Sequence, residues 1–355
     1  MLEVALSMLT LVPGGMGGSE TYARELTRQL AGVEDVSATA YVGITGRGFS
    51  EGIPERAFSF VRGGPSTAQR LSAIASATVF AGSIRHAMRS ADVVHFPLTV
   101  SVPRPARGTA VVQTLLDVQH LDLPHLFSRP ELAYRRRFYE GGAKSADAVI
   151  TISEFAKRRM VELLGLDPEK IHVAHLGVDA EQFAPNSGAR DDFVLYPARG
   201  WQHKNHARLI EAMTIVRLTS PETRLVLTGG ALDSLGELPD WVDRRGLVSS
   251  QELRELYRSA SVLAFPSLYE GFGLPPLEAM ASGCPVAASN AGSIPEVCGD
   301  AAVLFDPTEI GAIAAGISDA MRRGPELAAA GLRQVRKFTW EGCRDVHLGV
   351  YRGVS

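Results

Sequence analysis

Cysteine is scarce in this 355-residue chain, and its three copies, Cys284, Cys298 and Cys343, lie apart without C-x-x-C spacing. That pattern argues against a disulfide framework and against a zinc site. Free thiols suit a reducing compartment, so the expected location is the cytoplasm. No apolar run approaches the ~18 residues of a membrane span. The apolar start, MLEVALSMLTLV, lacks a basic leader and a small-residue cleavage site, and it reads as a buried first strand rather than a secretion signal. An excess of one charge is missing too. The net formal charge is −3, and residues 1–186 hold 19 basic and 19 acidic side chains, so nucleic acid is not an expected partner. The chain has no Gly-Lys pair, which excludes a P-loop. Gly15 and Gly17 begin a dinucleotide-type spacing, but its third position is Glu20, whose carboxylate would face a pyrophosphate.

What is present is ordinary globular material, 45% hydrophobic and 21% charged, long enough for two domains. Short apolar runs alternate with amphipathic segments, which predicts α/β units with parallel sheets. Strands are expected at Leu2–Val12, Ala91–Phe96, Gly108–Leu115, Ala146–Ile152 and Ile171–His175, with helices at Ser19–Leu30 and Glu154–Leu164. FAPNSGARDD, Phe183–Asp192, reads as the linker. A second series follows. Its strands are Phe193–Pro197, Arg224–Thr228, Val262–Pro266, Pro285–Ser289 and Val303–Phe305. Its helices are Ala207–Leu218, Gln251–Ser259 and Pro275–Ala281, with more within Thr308–Lys337. The expected domains are residues 1–186 and 187–337, with 338–355 packing back on the first. Each is Rossmann-like, and they face one another across a cleft. Ligands of open α/β sheets bind beyond the carboxyl ends of the strands.

The most informative segment is Pro266–Val286, PSLYEGFGLPPLEAMASGCPV. A strand ends there. A turn, Glu270–Gly271–Phe272–Gly273–Leu274, leads into a helix opened by Pro275 and Pro276, a position where the missing N–H costs nothing. Glycine lets backbone N–H groups approach a ligand, and the helix N-terminus suits a phosphate. Glu270 and Glu278 flank that anion site. Carboxylates are poorly suited to bind phosphate, but they accept hydrogen bonds from hydroxyls on either side of it, a combination that suits a nucleotide sugar.

Glu270-x7-Glu278 in this context resembles the signature of retaining GT-B glycosyltransferases, family 4 in particular. The resemblance extends along nearly the whole chain. Gly17–Gly18–Ser19–Glu20 is similar to the family's GGxE loop, and His175–Leu176–Gly177–Val178–Asp179 to its N-G-V-D element. Arg199 and Lys204 in ARGWQHKNHARLIEA match its Arg and Lys, and Ser293–Val297 and Leu304–Pro307 match later landmarks. The resemblance implies the GT-B fold and transfer of a hexose-type sugar from a nucleoside diphosphate to an acceptor hydroxyl, keeping the anomeric configuration. It implies that Arg199 and Lys204 hold the diphosphate, and that Gly17 and Gly18 let the first loop close on the donor. Glu270 would take the sugar hydroxyls. The backbone of Gly271, Phe272, Gly273 and Leu274 would line sugar and phosphate. Glu278 would take the ribose, and Leu247 and Val248 would lie near the base. No metal and no cofactor is implied, and the chain has no DxD triplet.

One departure stands out. Family members carry His-Asp after a strand of the first domain, whereas here the segment is Thr114–Leu115–Leu116–Asp117–Val118–Gln119–His120. Leu116 occupies the histidine position, Asp117 remains, and His120 is a candidate substitute or a loop residue satisfied by its neighbours. A non-catalytic nucleotide-sugar-binding subunit of a larger transferase is the alternative that this departure leaves open. The cluster Tyr134–Arg135–Arg136–Arg137–Phe138 reads as a solvated helix face, with weak peripheral contact to an anionic membrane face as its other use.

Overall fold

Val4–Met8 and Val262–Phe265 are buried at consecutive positions, not alternate ones. Strands of that kind are covered on both faces, the condition of a parallel sheet beneath helices. The computed structural model describes residues 1–64, 66–185 and 188–355. It divides into two units, Met1–Leu176 with Trp340–Ser355, and Gly177–Thr339. The expected boundary at 186/187 lies outside the described residues.

The first unit carries seven parallel strands. They are β1 Leu2–Met8, β2 Val36–Gly43, β3 Glu55–Phe58, β4 Val93–Phe96, β5 Ala110–Thr114, β6 Ala148–Thr151 and β7 Ile171–Val173. Their order is β3-β2-β1-β4-β5-β6-β7, and Val4 of β1 pairs with Ala38 on one side and Val93 on the other. β1 stops at Met8 instead of Val12, because the chain turns into the glycine loop. Helix Gly18–Leu30 buries Tyr22, Ala23, Leu26 and Leu30, as its stripe requires. The final helix, Trp340–Val354, belongs to this unit. Its Arg352 pairs with Asp35 at 2.7 Å. Its His347 accepts from the Tyr22 hydroxyl at 2.7 Å, and its Tyr351 hydroxyl lies 2.7 Å from His95 Nδ1.

The second unit carries six parallel strands. They are β8 Asp191–Pro197, β9 Arg224–Thr228, β10 Val242–Gly246, β11 Ala260–Phe265, β12 Val286–Ser289 and β13 Val303–Phe305. Their order is β10-β9-β8-β11-β12-β13. The expected linker reaches too far. β8 begins at Asp191, and the Arg190 guanidinium donates to the carbonyls of Tyr257, Arg258, Ala260 and Ser282 at 2.9–3.1 Å. One planar cation thereby satisfies carbonyls that a helix end leaves open. In both sheets the order reverses beside the first strand, between β1 and β4 and between β8 and β11. Such a reversal is where an open α/β sheet offers its crevice.

Candidate active site

Arg199 and Lys204 follow β8, and Glu270 follows β11, so the reversal point of the second sheet sets them on neighbouring loops. The loops are fastened to each other. Asn205 adopts a left-handed backbone, φ 63°, which asparagine tolerates. Its Nδ2 donates to the carbonyls of Pro266, at 3.0 Å, and Pro307, at 2.8 Å. The Tyr196 hydroxyl donates to the carbonyl of Lys204 at 2.6 Å, and the N–H of Leu268 to that of His203 at 2.8 Å. Lys204 Nζ then meets Glu270 Oε1 at 2.5 Å, with side chains 15% and 14% exposed. Nζ also sits 5.8 Å from the ring centre of Phe265, the last residue of β11. The pair is shielded from bulk water, so its charges act strongly on anything that enters.

The turn after Glu270 is held from behind. Ser293 Oγ lies 3.0 Å from the Glu270 carbonyl and 2.6 Å from that of Phe272, and Ser293 N–H donates to the former at 3.3 Å. Gly292, φ 64°, passes so close that a Cβ there would stand 2.8 Å from the Glu270 carbonyl oxygen. Gly273, φ 121°, precedes helix Leu274–Ala281, and no side chain caps that helix. Pro275 and Pro276 carry no N–H and the Leu277 N–H donates to the Gly273 carbonyl at 3.4 Å, so an anion at this end would meet the N–H groups of Gly273 and Leu274. Glu278 falls in the helix's second turn, and its Oε2 accepts from the Tyr257 hydroxyl at 2.7 Å. Burial raises its carboxyl pKa, while that hydrogen bond pulls the other way.

Arg199 and Leu247 both border Gly230, where a Cβ would lie 3.8 Å from Leu247 Cδ2 and 3.9 Å from the guanidinium carbon. The guanidinium also sits 5.4 Å from the Trp201 ring centre. Leu247 is 77% exposed, an apolar side chain standing free beside a cation, and Val248 next to it is half-buried. The loops can come this close because Gly200 and Gly229 lack side chains; a Cβ on Gly229 would stand 2.4 Å from the Ala198 carbonyl oxygen.

In the first unit, Gly17 (φ 56°) precedes the helix that Gly18 opens. Glu20 folds the glycine loop back by accepting from the Gly14 N–H at 2.7 Å. Asp117 Oδ1 accepts from the Gln119 N–H at 3.0 Å, which closes a turn after β5. His120 is only 1% exposed. Its Nε2 lies 3.3 Å from Glu140 Oε1, and its Nδ1 has no partner among the described residues. Burial, with Arg135 nearby, lowers its pKa. His120 thus lies buried beside Glu140, four residues along the chain from Leu116. Sequence reasoning had no sign of Asn205, Tyr257 or Gly292. Ser293 stood in a matched landmark but without a role.

Among the described residues, no three His, Cys, Asp or Glu side chains gather as a metal site. No described helix is long and apolar enough to cross a membrane. Residues 16–182 match Glycosyltransferase Family 4, and residues 178–333 match Glycosyl transferases group 1. The O-antigen chain mannosyltransferase B of Escherichia coli is 30% identical over 276 residues, 70% of this chain and 71% of that one. The chain is a GT-B glycosyltransferase of the family 4 type. The transferase is also 31% identical over 231 residues to the MMP alpha-(1->4)-mannosyltransferase of Mycolicibacterium hassiacum, covering 59% of this chain and 54% of that one. Among solved structures, sucrose-phosphate synthase from Thermosynechococcus elongatus matches with a TM-score of 0.81 at 20% identity, covering 99% of both chains. Anabaena HepE in complex with UDP-glucose matches at 0.74 and 17% identity, over 99% of this chain and all of that one. At those identities the likeness concerns the fold, two Rossmann-like α/β units.

Proposed function

We propose that the transferase moves a hexose from a nucleoside diphosphate to an acceptor hydroxyl, with retention at the anomeric carbon and without a divalent metal. The observation that carries this reading is the shielded Lys204–Glu270 pair at the reversal point of the second sheet, beside an uncapped helix start. A diphosphate arriving there takes Lys204 as its counter-ion and the N–H groups of Gly273 and Leu274 as donors. Arg199 adds a planar fork. Glu270, released from Lys204, accepts from sugar hydroxyls. Glu278 keeps one oxygen on Tyr257 and offers the other to the ribose. The base lies against Leu247, with Val248 beside it. Gly17 and Gly18 are donor-binding candidates of the first unit, and Asp117 is its candidate catalytic residue.

The bond from the anomeric carbon to the phosphate oxygen breaks as the acceptor oxygen bonds to the same face of that carbon. The acceptor proton passes to the leaving phosphate. Positive charge placed in advance at the leaving group stabilises the transition state without a cation. The curated relatives include two named mannosyltransferases, so a mannose-type donor heads the panel.

Thermal stabilisation by UDP-, GDP-, ADP-, TDP- and CDP-sugars in EDTA tests the donor site, since a ligand of the folded state raises the melting temperature. One nucleotide family should stabilise the wild type and fail with Glu278→Ala. No shift with any of them would overturn donor binding. Product of inverted configuration, or turnover abolished by EDTA, would overturn the mechanism.

A further inference from the structure

The arginines of the first unit are unevenly placed. Between residues 56 and 116 stand seven arginines and a single acid, Asp92, and that carboxylate is occupied by the Glu3 N–H at 2.9 Å. Part of this charge surrounds a cavity of about 470 Å³, a size that holds a small ligand. The walls are helix Thr67–Val79, helix Ala81–Ala87, the crossover from β4 to β5, and the segment from the π turn Arg136–Glu140 to Ser145. Arg85, Arg104 and Arg137 line it, with Ser101, Ser145 and Phe138, and no acidic side chain lines it among the described residues.

Arg85 and Arg104 are tied together, and Arg137 lines the same cavity. Arg85 Nε donates to the Arg104 carbonyl at 2.7 Å, and Arg104 Nη2 donates to Ser145 Oγ at 2.5 Å. Ser145 Oγ in turn donates to the Gly141 carbonyl at 2.6 Å, and a Cβ on Gly141 would lie 3.9 Å from Arg137 Nη1. Each guanidinium keeps further N–H groups unspent. None of the three makes an ion pair among the described residues. A carboxylate, with one charge and two oxygens, is satisfied by one arginine fork. Three forks around one space suit a group with more oxygens and up to two charges.

We propose that this cavity binds a phosphate group, as a monoester or diester, carried by a soluble molecule or by a lipid headgroup. The site is independent of the donor reading. Exposed Val79 and Phe80, beside lining residues Thr78 and Ala81, give the rim an apolar edge.

The test is titration calorimetry on the full chain with inorganic phosphate in one arm and phosphatidylcholine–phosphatidylglycerol vesicles in the other. Wild type is compared with Arg85→Gln/Arg137→Gln. Both side chains are exposed, so an unchanged melting temperature is expected. Phosphate binding at the donor site is common to both proteins and cancels. The double variant should lose about tenfold or more in affinity, the cost of removing hydrogen bonds to a charged group. Loss in the phosphate arm identifies a soluble source, and loss in the vesicle arm alone identifies a headgroup; either supports the site. Binding in neither arm, or equal binding by both proteins, overturns it. So does an Arg85→Lys/Arg137→Lys variant that binds as tightly as wild type, because net charge would then suffice without the forks.

Discussion

The two sheets begin with the same strand order, yet the central strands end differently. In the second unit, the loops after β8 and β11 hold a half-shielded charge pair, Lys204 and Glu270, directed at one another. In the first unit, the central strands β4 and β5 carry His95 and Thr114, sealed within a chain of neutral groups. The carbonyl of Cys343 can only accept, so His347 Nδ1, 2.8 Å away, is protonated and Nε2 accepts from Tyr22. Tyr22 then accepts from Thr114 at 2.8 Å, Thr114 from His95 Nε2 at 2.8 Å, and His95 Nδ1 accepts from Tyr351. Every group is buried and each has a partner. One topology thus serves two ends. Where the last helix covers the strands, polar groups satisfy each other and stabilise. Where loops alone meet, charge is left ready for a ligand.

The sharpest way to break this contrast is Lys204→Ala. It should lower turnover about 10²–10³-fold, as loss of one preorganised transition-state contact does. Wild-type turnover would mean that the second unit's charge pair is structural too. Next in size is the acid response of the first unit. Burial holds His347 at about 4, against an ordinary 6.5, and lowers His95 as well. Between those values the unfolded chain binds the extra proton, so stability rises with pH through that window. For His347 alone the contribution is on the order of 3 kcal/mol, fully present above pH 6.5 and lost as pH falls to 4. His347→Phe should flatten the denaturation profile there; an unchanged slope would place the acid sensitivity elsewhere, His206, also held at about 4, being the first alternative.

Gly292→Ala should be milder. The left-handed φ and the contact with the Glu270 backbone cost ~1–3 kcal/mol, read as a lower melting temperature together with turnover reduced about tenfold. A lower melting temperature with full turnover would separate the turn's support from its chemistry. Tyr22→Phe should have the smallest effect, about 1–2 kcal/mol of stability from two lost buried bonds, with turnover unchanged. A large loss of turnover would show that the sealed chain is more than structure.

The glycine turn was legible because its whole logic, strand end, glycines, prolines and two glutamates, fits within about twenty consecutive residues. The Lys204–Glu270 contact was not, since it joins loops 66 positions apart and depends on which strands are neighbours. Edge strands β3 and β10 escaped for a physical reason. ERAF and VDRRG carry charge and half-exposed positions, the disguise by which edges avoid further pairing. Helix Thr67–Val79 did announce itself, by Ser66 and Gln69 forming a capping box. Its small residues, with few large apolar side chains, hid the stripe. His120 was legible as a candidate, but its contact with Glu140, 20 positions further on, was not.

The first unit is discontinuous in the chain: Trp340–Ser355 returns to it after the whole of Gly177–Thr339. During synthesis that helix emerges only after residues 177–339. Until then Tyr22 lacks His347 and His95 lacks Tyr351, so the first-made unit stays unfinished while the second can already close. Residues 177–339 form in effect one long insertion, and completing the first unit requires its ends to meet across it. Chains interrupted anywhere before residue 340 therefore carry an open polar seam in the first unit, where Tyr22 and His95 lack the partners that helix Trp340–Val354 brings.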